Sequence, residues 1–348
     1  MVLYSVQLRI MAEVKKYVLY SLLLALVFVS GNLAQAQGMP GSDGLNMQVS
    51  PSAPAPNSQV SFALTNYSIN LQTSDIRWLV NGKQASRGAG FTSFTTVTGA
   101  PGSVLTISVI VTTTDGQTLT KEITLRPALL DLIWQADSAV PPLYRGKALP
   151  TTKNLVKFVA IPHFVNAGVE IDQSKLVYQW SLEFDPTPTG SGLGKNTFST
   201  KIVDLIGETR VGVKVSTLDG SIVASKSLAV SPFNPLVSLV RIDDLEGPDL
   251  AHPLSGNYDL TGPEVTLRTV GYYFPKSHVT KPGLKYSFAV NGKPAMASEV
   301  APALLTLRQG PGTGSGQAAL SAAINDSFDS MISAVRSITL TFGSNSLQ

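Results

Sequence analysis

The sequence contains no cysteine and little charge. Its 348 residues include 26 Lys and Arg and 23 Asp and Glu, so that charged residues make up only 14% of the chain. Without cysteine the chain can form no disulfide, no thiolate metal site, no cysteine nucleophile and no lipidated cysteine anchor. Ser, Thr, Gly and Pro take the place of the missing charge. Any folded module in this chain must therefore be stabilised by packing alone.

Long hydrophobic runs are also scarce. One apolar run, Val18 to Val29, follows two lysines and precedes a small-x-small triplet that ends at Ala36. This pattern predicts a secretory signal peptide over residues 1–36, cleaved after Ala36, whether translation starts at Met1 or at Met11. The run is short for a membrane helix, which needs about 20 apolar residues. An uncleaved anchor over residues 17–33 remains the alternative.

The basic charge excess is largely a property of this N-terminal segment. Without residues 1–36 the chain has 23 basic residues (26 − 3) and 22 acidic residues (23 − 1). A nucleic-acid partner would require a basic patch with interleaved aromatics, and none is present. Membrane contact is expected only through the N-terminal segment, if that segment is retained. A secreted chain without cysteine favours a bacterial source.

Beyond the first 57 residues, apolar segments alternate with period two. Gly, Pro, Asn or Asp bounds nearly every one of them, and no window of about 12 residues after the signal shows a helical stripe. The pattern predicts an all-β fold, preceded by the signal or anchor helix.

One aromatic-centred strand occurs three times. Trp78 lies in "IRWLVNGK", Trp180 in "VYQWSLE" and Phe288 in "KYSFAVNGK", at intervals of 102 and 108 residues. Apolar neighbours two positions away share a sheet face with each ring, so these three residues are predicted core markers of the third strand. Asn-Gly ends the strand as a turn in the first and third copies, whereas Ser-Leu-Glu stands there in the middle copy. The interval matches the size of an immunoglobulin-like sandwich.

These repeats predict three tandem Ig-like β-sandwiches. Prolines at the two junctions fix φ and remove a hydrogen-bond donor, which predicts stiff joints. The predicted divisions are a signal peptide at 1–36, a linker with a first edge strand at 37–57, module 1 at 58–127, module 2 at 128–232, module 3 at 233–342 and a tail at 343–348.

The tandem units resemble the immunoglobulin-like and PKD-like modules of bacterial secreted or cell-surface proteins. The resemblance covers residues 44–342 and depends on the third-strand aromatic, the Asp-Gly before the last hairpin and the preceding signal. The segments "PLYRGKALP", "GKNTFS" and "SITLTF" resemble uncharacterised envelope proteins of candidate-phyla bacteria. The Trp-Asp-Phe-Gly-Asp-Gly signature of PKD modules and the Ig cysteine pair are absent.

The resemblance implies a secreted or cell-surface location. We expect a non-enzymatic structural or adhesive stalk whose partner is an envelope protein or a surface glycan. Two alternatives stay open: a membrane-anchored component of a pilus or secretion assembly, and a polysaccharide-binding accessory protein of a hydrolase system.

Neither a catalytic residue nor a cofactor site is predicted. The glycine-rich segment 190–199 does not fit the phosphate-loop motif. Thr189, just before it, stands where the motif requires its first glycine, and Asn196 stands where it requires a hydroxyl. His163, His252 and His278 have no metal-ligand spacing, and each lies in a different predicted loop or strand end.

Two further groups of residues have predicted roles. The acidic segment "RIDDLEGPDL" is predicted to be a solvated loop, with a calcium site as the alternative. Trp134 and Tyr144 are predicted to pack between modules 1 and 2, with an exposed aromatic platform for carbohydrate as the alternative. The acidic residues concerned are Asp243, Asp244, Glu246 and Asp249.

Overall fold

The computed structural model describes residues 44–202, 207–310 and 314–343. The predicted signal peptide or anchor, the first part of the linker and nearly all of the tail lie outside these residues. Within them, no helix has both the length and the apolar character needed to cross a bilayer. The described chain is nearly all β and forms tandem Ig-like sandwiches, as the alternation predicts.

Module 1 is a sandwich of two antiparallel sheets. Its strands are β1 (Asn46–Ser50), β2 (Gln59–Thr65), β3 (Asp75–Val80), β4 (Lys83–Ala89), β5 (Ser93–Val97), β6 (Leu105–Thr112) and β7 (Thr118–Leu125). One sheet has the order β1-β2-β5 and the other β4-β3-β6-β7. Alternate residues of each strand face inward, and Ile107 and Val109 of β6 are fully buried between the sheets.

Module 2 repeats this arrangement with a longer connection, residues 137–154, between its first two strands. Its strands are β8 (Leu129–Ala136), β9 (Leu155–His163), β10 (Val165–Asn166), β11 (Val169–Glu170), β12 (Val177–Leu182), β13 (Asp185–Pro186), β14 (Gly192–Leu193), β15 (Thr197–Lys201), β16 (Thr209–Ser216) and β17 (Val223–Val230). A 3-10 turn covers Gln173–Lys175. The sheets have the orders β15-β9-β8 and β13-β12-β16-β17, and β14 also pairs with β12.

Module 3 has the same two-sheet core with an added parallel strand. Its strands are β18 (Leu236–Asp243), β19 (Gly247–Pro248), β20 (Asn257–Leu260), β21 (Glu264–Tyr272), β22 (Leu284–Val290), β23 (Lys293–Ala295), β24 (Leu304–Arg308), β25 (Gly316–Asp326) and β26 (Ser333–Phe342). A short helix, α1, covers Lys276–Thr280. The sheets have the orders β19-β18-β21-β24 and β20-β26-β25-β22-β23, in which β20 runs parallel to β26.

The turn after the aromatic-centred strand has one geometry in all three modules. Both central residues adopt left-handed φ values, which suit the type I′ hairpin turn. Module 2 makes this turn without glycine, with φ of 49° at Glu183 and 73° at Phe184. The corresponding pairs are Asn81 (49°) with Gly82 (78°), and Asn291 (49°) with Gly292 (76°).

The first residue of each turn also bonds to the neighbouring strand with its side chain. The Asn81 Oδ1 atom accepts a hydrogen bond of 2.9 Å from the Thr106 backbone N–H. In module 2 the Glu183 Oε1 atom accepts the equivalent bond, of 2.6 Å, from Arg210 N–H. Asn291 repeats the bond in module 3. A glutamate therefore replaces asparagine in this role, and module 2 forms the same turn without the Asn-Gly sequence that predicts it.

The chain divides into two compact units. One contains the strands of module 1, and the other runs from Arg126 onward and also includes Ala53–Ser58 and Thr98–Val104. Modules 2 and 3 thus share one unit, although the repeats predict them as separate domains.

A segment of module 2 joins modules 2 and 3 within that unit. We call residues 137–150, between β8 and β9, the strap. Ala139 N–H donates to Phe274 C=O at 2.7 Å, and Tyr273 N–H donates to Ala139 C=O at 2.7 Å. Lys276 N–H donates to Asp137 C=O at 3.1 Å. The strap therefore forms a short antiparallel ladder with the chain that follows β21.

Side chains reinforce this ladder. The hydroxyl oxygens of Tyr144 and Tyr273 lie 2.6 Å apart, and Lys153 Nζ lies 2.8 Å from Asp329 Oδ2. At the other end of the strap, Phe233 N–H donates to Pro150 C=O at 2.7 Å. Backbone and side-chain bonds at several points thus hold module 3 against module 2.

Candidate functional site

The three aromatic core markers lie between the sheets. Trp78, Trp180 and Phe288 are 0%, 1% and 4% exposed, respectively. The Trp78 indole N–H donates to Phe91 C=O at 2.8 Å, and that of Trp180 donates to Lys195 C=O at 2.9 Å. Their rings are consequently closed to ligands, and the thrice-repeated motif is a structural feature of the cores.

Trp134 and Tyr144 both have intramolecular partners. Trp134 is half-buried against the module 2 core, and Lys147 Nζ lies 3.2 Å from the centre of its ring. Burial lowers the pKa of Lys147. The Tyr144 ring lies 5.6 Å from that of Tyr272 and 6.2 Å from that of Tyr273, measured between centroids. The sequence predicted that this pair packs between modules 1 and 2, and the module 3 partners of Tyr144 were not predicted.

The acidic segment forms turns. Asp243 Oδ1 accepts hydrogen bonds from the backbone N–H groups of Leu245 and Glu246, which lowers the pKa of the Asp243 carboxyl. Asp249 Oδ1 lies 3.0 Å from the Nδ1 atom of His252. Across the described ranges, no group of three or more acidic or histidine side chains is arranged to hold a metal ion. Asp243, Asp244, Glu246 and Asp249 do not converge into such a group.

The histidines lie in separate places, each beside one carboxylate. His163 Nδ1 is 3.4 Å from Glu170 Oε1, and His252 pairs with Asp249 as described. His278 Nδ1 lies 2.5 Å from Asp326 Oδ2, whose side chain is fully buried. The structure therefore does not bring the three histidines together.

A groove on the outer face of module 2 is the best-formed candidate site. It has a volume of about 630 Å³ and lies over β12, β16 and β17. Gln179, Lys214 and Ser225 form one cross-strand row of its floor, because Gln179 pairs with Lys214 and Lys214 with Ser225. The second row consists of Ser181, Gly212 and Ser227.

The connection between β13 and β14 forms the wall of this groove. Thr187 N–H donates to Trp180 C=O at 2.9 Å, and Trp180 N–H donates to Ser191 Oγ at 2.9 Å. These bonds fix the connection along the edge of β12. Pro186 and Pro188, which line the groove, supply apolar surface beside the polar floor.

Gly212 keeps the centre of the floor low. A Cβ atom at this position would lie 2.6 Å from Ser181 Oγ, so any side chain would displace that hydroxyl and occupy the groove. The equivalent residue of module 1, Ser108, instead donates to Glu122 Oε2 at 2.8 Å. The equivalent sheets of modules 1 and 2 therefore differ here: module 2 has an open floor and module 1 does not.

Lys214 supplies the groove with a free positive charge. No carboxylate lies within ion-pair distance of its ammonium group in the described part of the chain, whereas Lys226 Nζ pairs with Asp131 Oδ1 at 3.1 Å. The groove therefore combines hydroxyl groups, one amide and one unpaired cation.

The sequence pattern did not predict this groove. Alternation along a strand identifies the outward residues, but the cross-strand pairs that bring Ser181, Gly212 and Ser227 into one row depend on register. A readable signal was available: serine or glycine at outward positions of three strands, where module 1 has larger side chains.

The comparisons with known proteins report folds alone. No family model matches the sequence, and no curated protein matches it significantly. Similar solved structures include arrays of immunoglobulin domains and of fibronectin-III domains. At the identities and TM-scores found, the likeness carries no argument about what this chain binds.

Three of these structures illustrate the likeness. The three N-terminal domains of the Highly Immunogenic Outer Capsid protein of bacteriophage RB49 have 12% identity and a TM-score of 0.26, over 86% of this chain and 98% of that one. The central fibronectin-III array of RIM-binding protein has 12% identity and a TM-score of 0.28, over 85% and 95%. The Bacteroides ovatus mixed-linkage glucan utilization locus protein SGBP-B, solved with a heptasaccharide, has 12% identity and a TM-score of 0.21, over 85% and 70%.

Proposed function

We propose that this protein is a non-enzymatic extracellular stalk of Ig-like modules that binds a surface glycan in the groove of module 2. The groove is the observation that carries the proposal. Its floor offers hydroxyls from Ser181, Ser225 and Ser227, the amide of Gln179 and the ammonium of Lys214. These groups match a ligand that is rich in hydroxyls and carries some negative charge.

The apolar wall suits the same ligand. A pyranose ring has hydroxyls at its edge and C–H groups on its faces, so it requires polar and apolar surface side by side. Pro186 and Pro188 provide the apolar surface, and their loop is fixed by bonds to Trp180, so little ordering entropy is lost on binding.

The strap supports the stalk part of the proposal. Modules 2 and 3 belong to one compact unit, joined by a backbone ladder. Such a unit holds the groove at a constant geometry relative to module 3, which a flexible linker would not do.

A groove-filling substitution tests the proposed ligand. We expect Gly212→Val to abolish binding to acidic oligosaccharides, because the new side chain occupies the floor, while valine remains compatible with a strand. Ser108→Val, at the equivalent position of module 1, is the matched control and should bind like the wild type. Binding is measured on an oligosaccharide array and by NMR titration of the isotopically labelled protein.

Two results would overturn the glycan proposal. One is the absence of any chemical-shift change at groove residues with acidic and neutral oligosaccharides. The other is binding that Gly212→Val leaves unchanged.

The extracytoplasmic location is proposed from the N-terminal sequence pattern. We expect the protein recovered from the culture medium to begin at Gln37. Recovery only in the membrane fraction, with the N-terminal segment retained, would favour the anchored alternative.

A further inference from the structure

A second cavity lies in module 3, beneath the strap. The strand β24 ends its pairing with β21 opposite Arg268, and the last bond at this edge runs from Thr269 N–H to Ala303 C=O at 2.8 Å. The next part of β21 borders a cavity of about 290 Å³. Residues 139–142 of the strap line another side of it. We call it the strap cavity.

The walls of the strap cavity are mainly apolar. Pro141 of the strap, Leu250 of the β19–β20 connection and Phe274 contribute to them, together with Val279 and Leu284. Phe274 is fully buried. A cavity of this size and lining lies at the lower end of the range for small-molecule sites, which begin near 300 Å³.

Three polar residues line the cavity, and their side chains lack an internal partner: Thr269 is buried, Tyr286 is half-buried and Arg268 is exposed. The Thr269 hydroxyl is buried without a hydrogen bond, which is uncommon for a buried polar atom. The Tyr286 hydroxyl and the Arg268 guanidinium lack a hydrogen-bonding or ion-pair partner in residues 44–202, 207–310 and 314–343. Burial raises the pKa of Tyr286, and the positive charge of Arg268, which lines the same cavity, acts on it in the opposite direction. The phenol therefore remains a donor at neutral pH.

We propose that the strap cavity binds a small carboxylate with an apolar tail, such as a medium-chain fatty acid. The Arg268 guanidinium binds the carboxylate, and the hydroxyls of Thr269 and Tyr286 donate hydrogen bonds to it. The tail packs against Pro141, Leu250 and the other apolar side chains. This site is separate from the groove of module 2 and does not depend on the function proposed for that groove.

Octanoate is the probe for this site, and octanol is its uncharged counterpart. Isothermal titration of the full chain with octanoate should give saturable binding with a Kd of about 0.1–1 mM, the range open to a ligand of this size. Octanol should bind at least about tenfold more weakly, because it cannot form the charged hydrogen bonds with Arg268.

Two variants locate the binding. Ala303→Phe fills the cavity from its lining and should abolish octanoate binding, whereas Ala301→Phe, two residues away and outside the lining, should leave it unchanged. Arg268→Met keeps most of the apolar stem and removes the charge, so octanoate affinity should fall about tenfold while octanol affinity stays the same. NMR spectra of each variant establish that module 3 is folded.

The proposal fails if octanoate shows no saturable binding up to about ten times the upper expected Kd. It also fails if octanol binds as tightly as octanoate, or if folded Ala303→Phe and Arg268→Met both bind octanoate like the wild type. Should Ala303→Phe not fold, the octanoate-to-octanol ratio of Arg268→Met decides alone.

Discussion

At the scale of single residues, the second position of the turn after the aromatic-centred strand is phenylalanine in module 2 and glycine in the other two modules. The type I′ turn of module 2 holds Phe184 at a φ of 73°, where modules 1 and 3 have glycine. The Phe184 side chain is 77% exposed, so it gains little burial in return. The left-handed conformation costs a residue with a Cβ about 1–2 kcal/mol. Phe184 thus carries a conformational cost that its packing does not repay.

Phe184→Gly should raise the free energy of unfolding of the unit by about 0.5–1 kcal/mol. Relief of the left-handed strain outweighs the lost contact with Arg210, whose Cζ atom lies 5.4 Å from the ring in an exposed place. Urea unfolding followed by tyrosine and tryptophan fluorescence measures the change. Phe184→Ala is the control and should gain less, since it keeps a Cβ; an equal gain would assign the effect to the ring.

Trp78→Ala should lower the free energy of unfolding of module 1 by about 3–5 kcal/mol. The side chain is fully buried and stacks on Phe94 with 5.4 Å between centroids. Chemical denaturation monitored by circular dichroism measures the loss. The half-buried Trp134 provides the comparison, because Trp134→Ala should cost less. A Trp78→Ala protein as stable as the wild type would contradict the core assignment.

At the scale of secondary-structure elements, the strands could be predicted from the sequence, but the strap and one turn could not. Alternation in β3, β12 and β22 identifies the strands, and the aromatic at the centre of each identifies the inward face. The strap could not be predicted, because the bonds of its ladder join residues more than 130 positions apart through backbone groups that every sequence possesses. The turn at Glu183 was missed because its side-chain bond to Arg210 replaces the Asn-Gly signal.

Ala139→Pro should uncouple modules 2 and 3. Proline removes the N–H that donates to Phe274 C=O, and its ring disfavours the close approach of the two segments. Calorimetry of the wild type should show one transition for each compact unit, and the variant should resolve a further one. Tyr144→Phe removes only the bond between hydroxyls and should broaden the second transition without dividing it. An unchanged profile for Ala139→Pro would show that the strap does not couple the modules.

At the scale of the whole molecule, the repeats predict three modules and the contacts define two units. The sequence repeats reflect the core residues of each separate module, so the three modules could be predicted from them. Coupling between modules 2 and 3 depends on residues 137–150, whose bonding partners lie in the other repeat. The groove on module 2 was missed for a related reason, since the row of small residues in its floor forms only through the registers of three strands.

Acid should weaken the coupling between modules 2 and 3. The hydrogen bond from Lys153 lowers the pKa of Asp329 below its ordinary value of 3.8. A carboxyl whose pKa is lowered by folding contributes stability above its unfolded pKa and loses it as the pH falls through the folded pKa. The difference in unfolding free energy between wild type and Asp329→Asn should therefore be constant above about pH 5 and disappear well below pH 3.8.

Calorimetry between pH 2 and pH 7 measures this difference for the unit that contains modules 2 and 3. Asp75→Asn, which removes an exposed ion pair with Arg87 in module 1, is the control and should not change that transition. A stability difference for Asp329→Asn that persists unchanged at the lowest pH would contradict the role of the charge.

The strap also limits how this chain can be recombined. Ala139, near the start of module 2, forms backbone hydrogen bonds with Tyr273 and Phe274 of module 3. The two modules are therefore complementary, as the subunits of an obligate dimer are. A crossover at the covalent junction near residue 232 would give each half a new neighbour and leave these backbone groups without partners. Modules 2 and 3 should therefore be inherited, duplicated or exchanged together, and the natural unit for building chimeras from this protein is the pair.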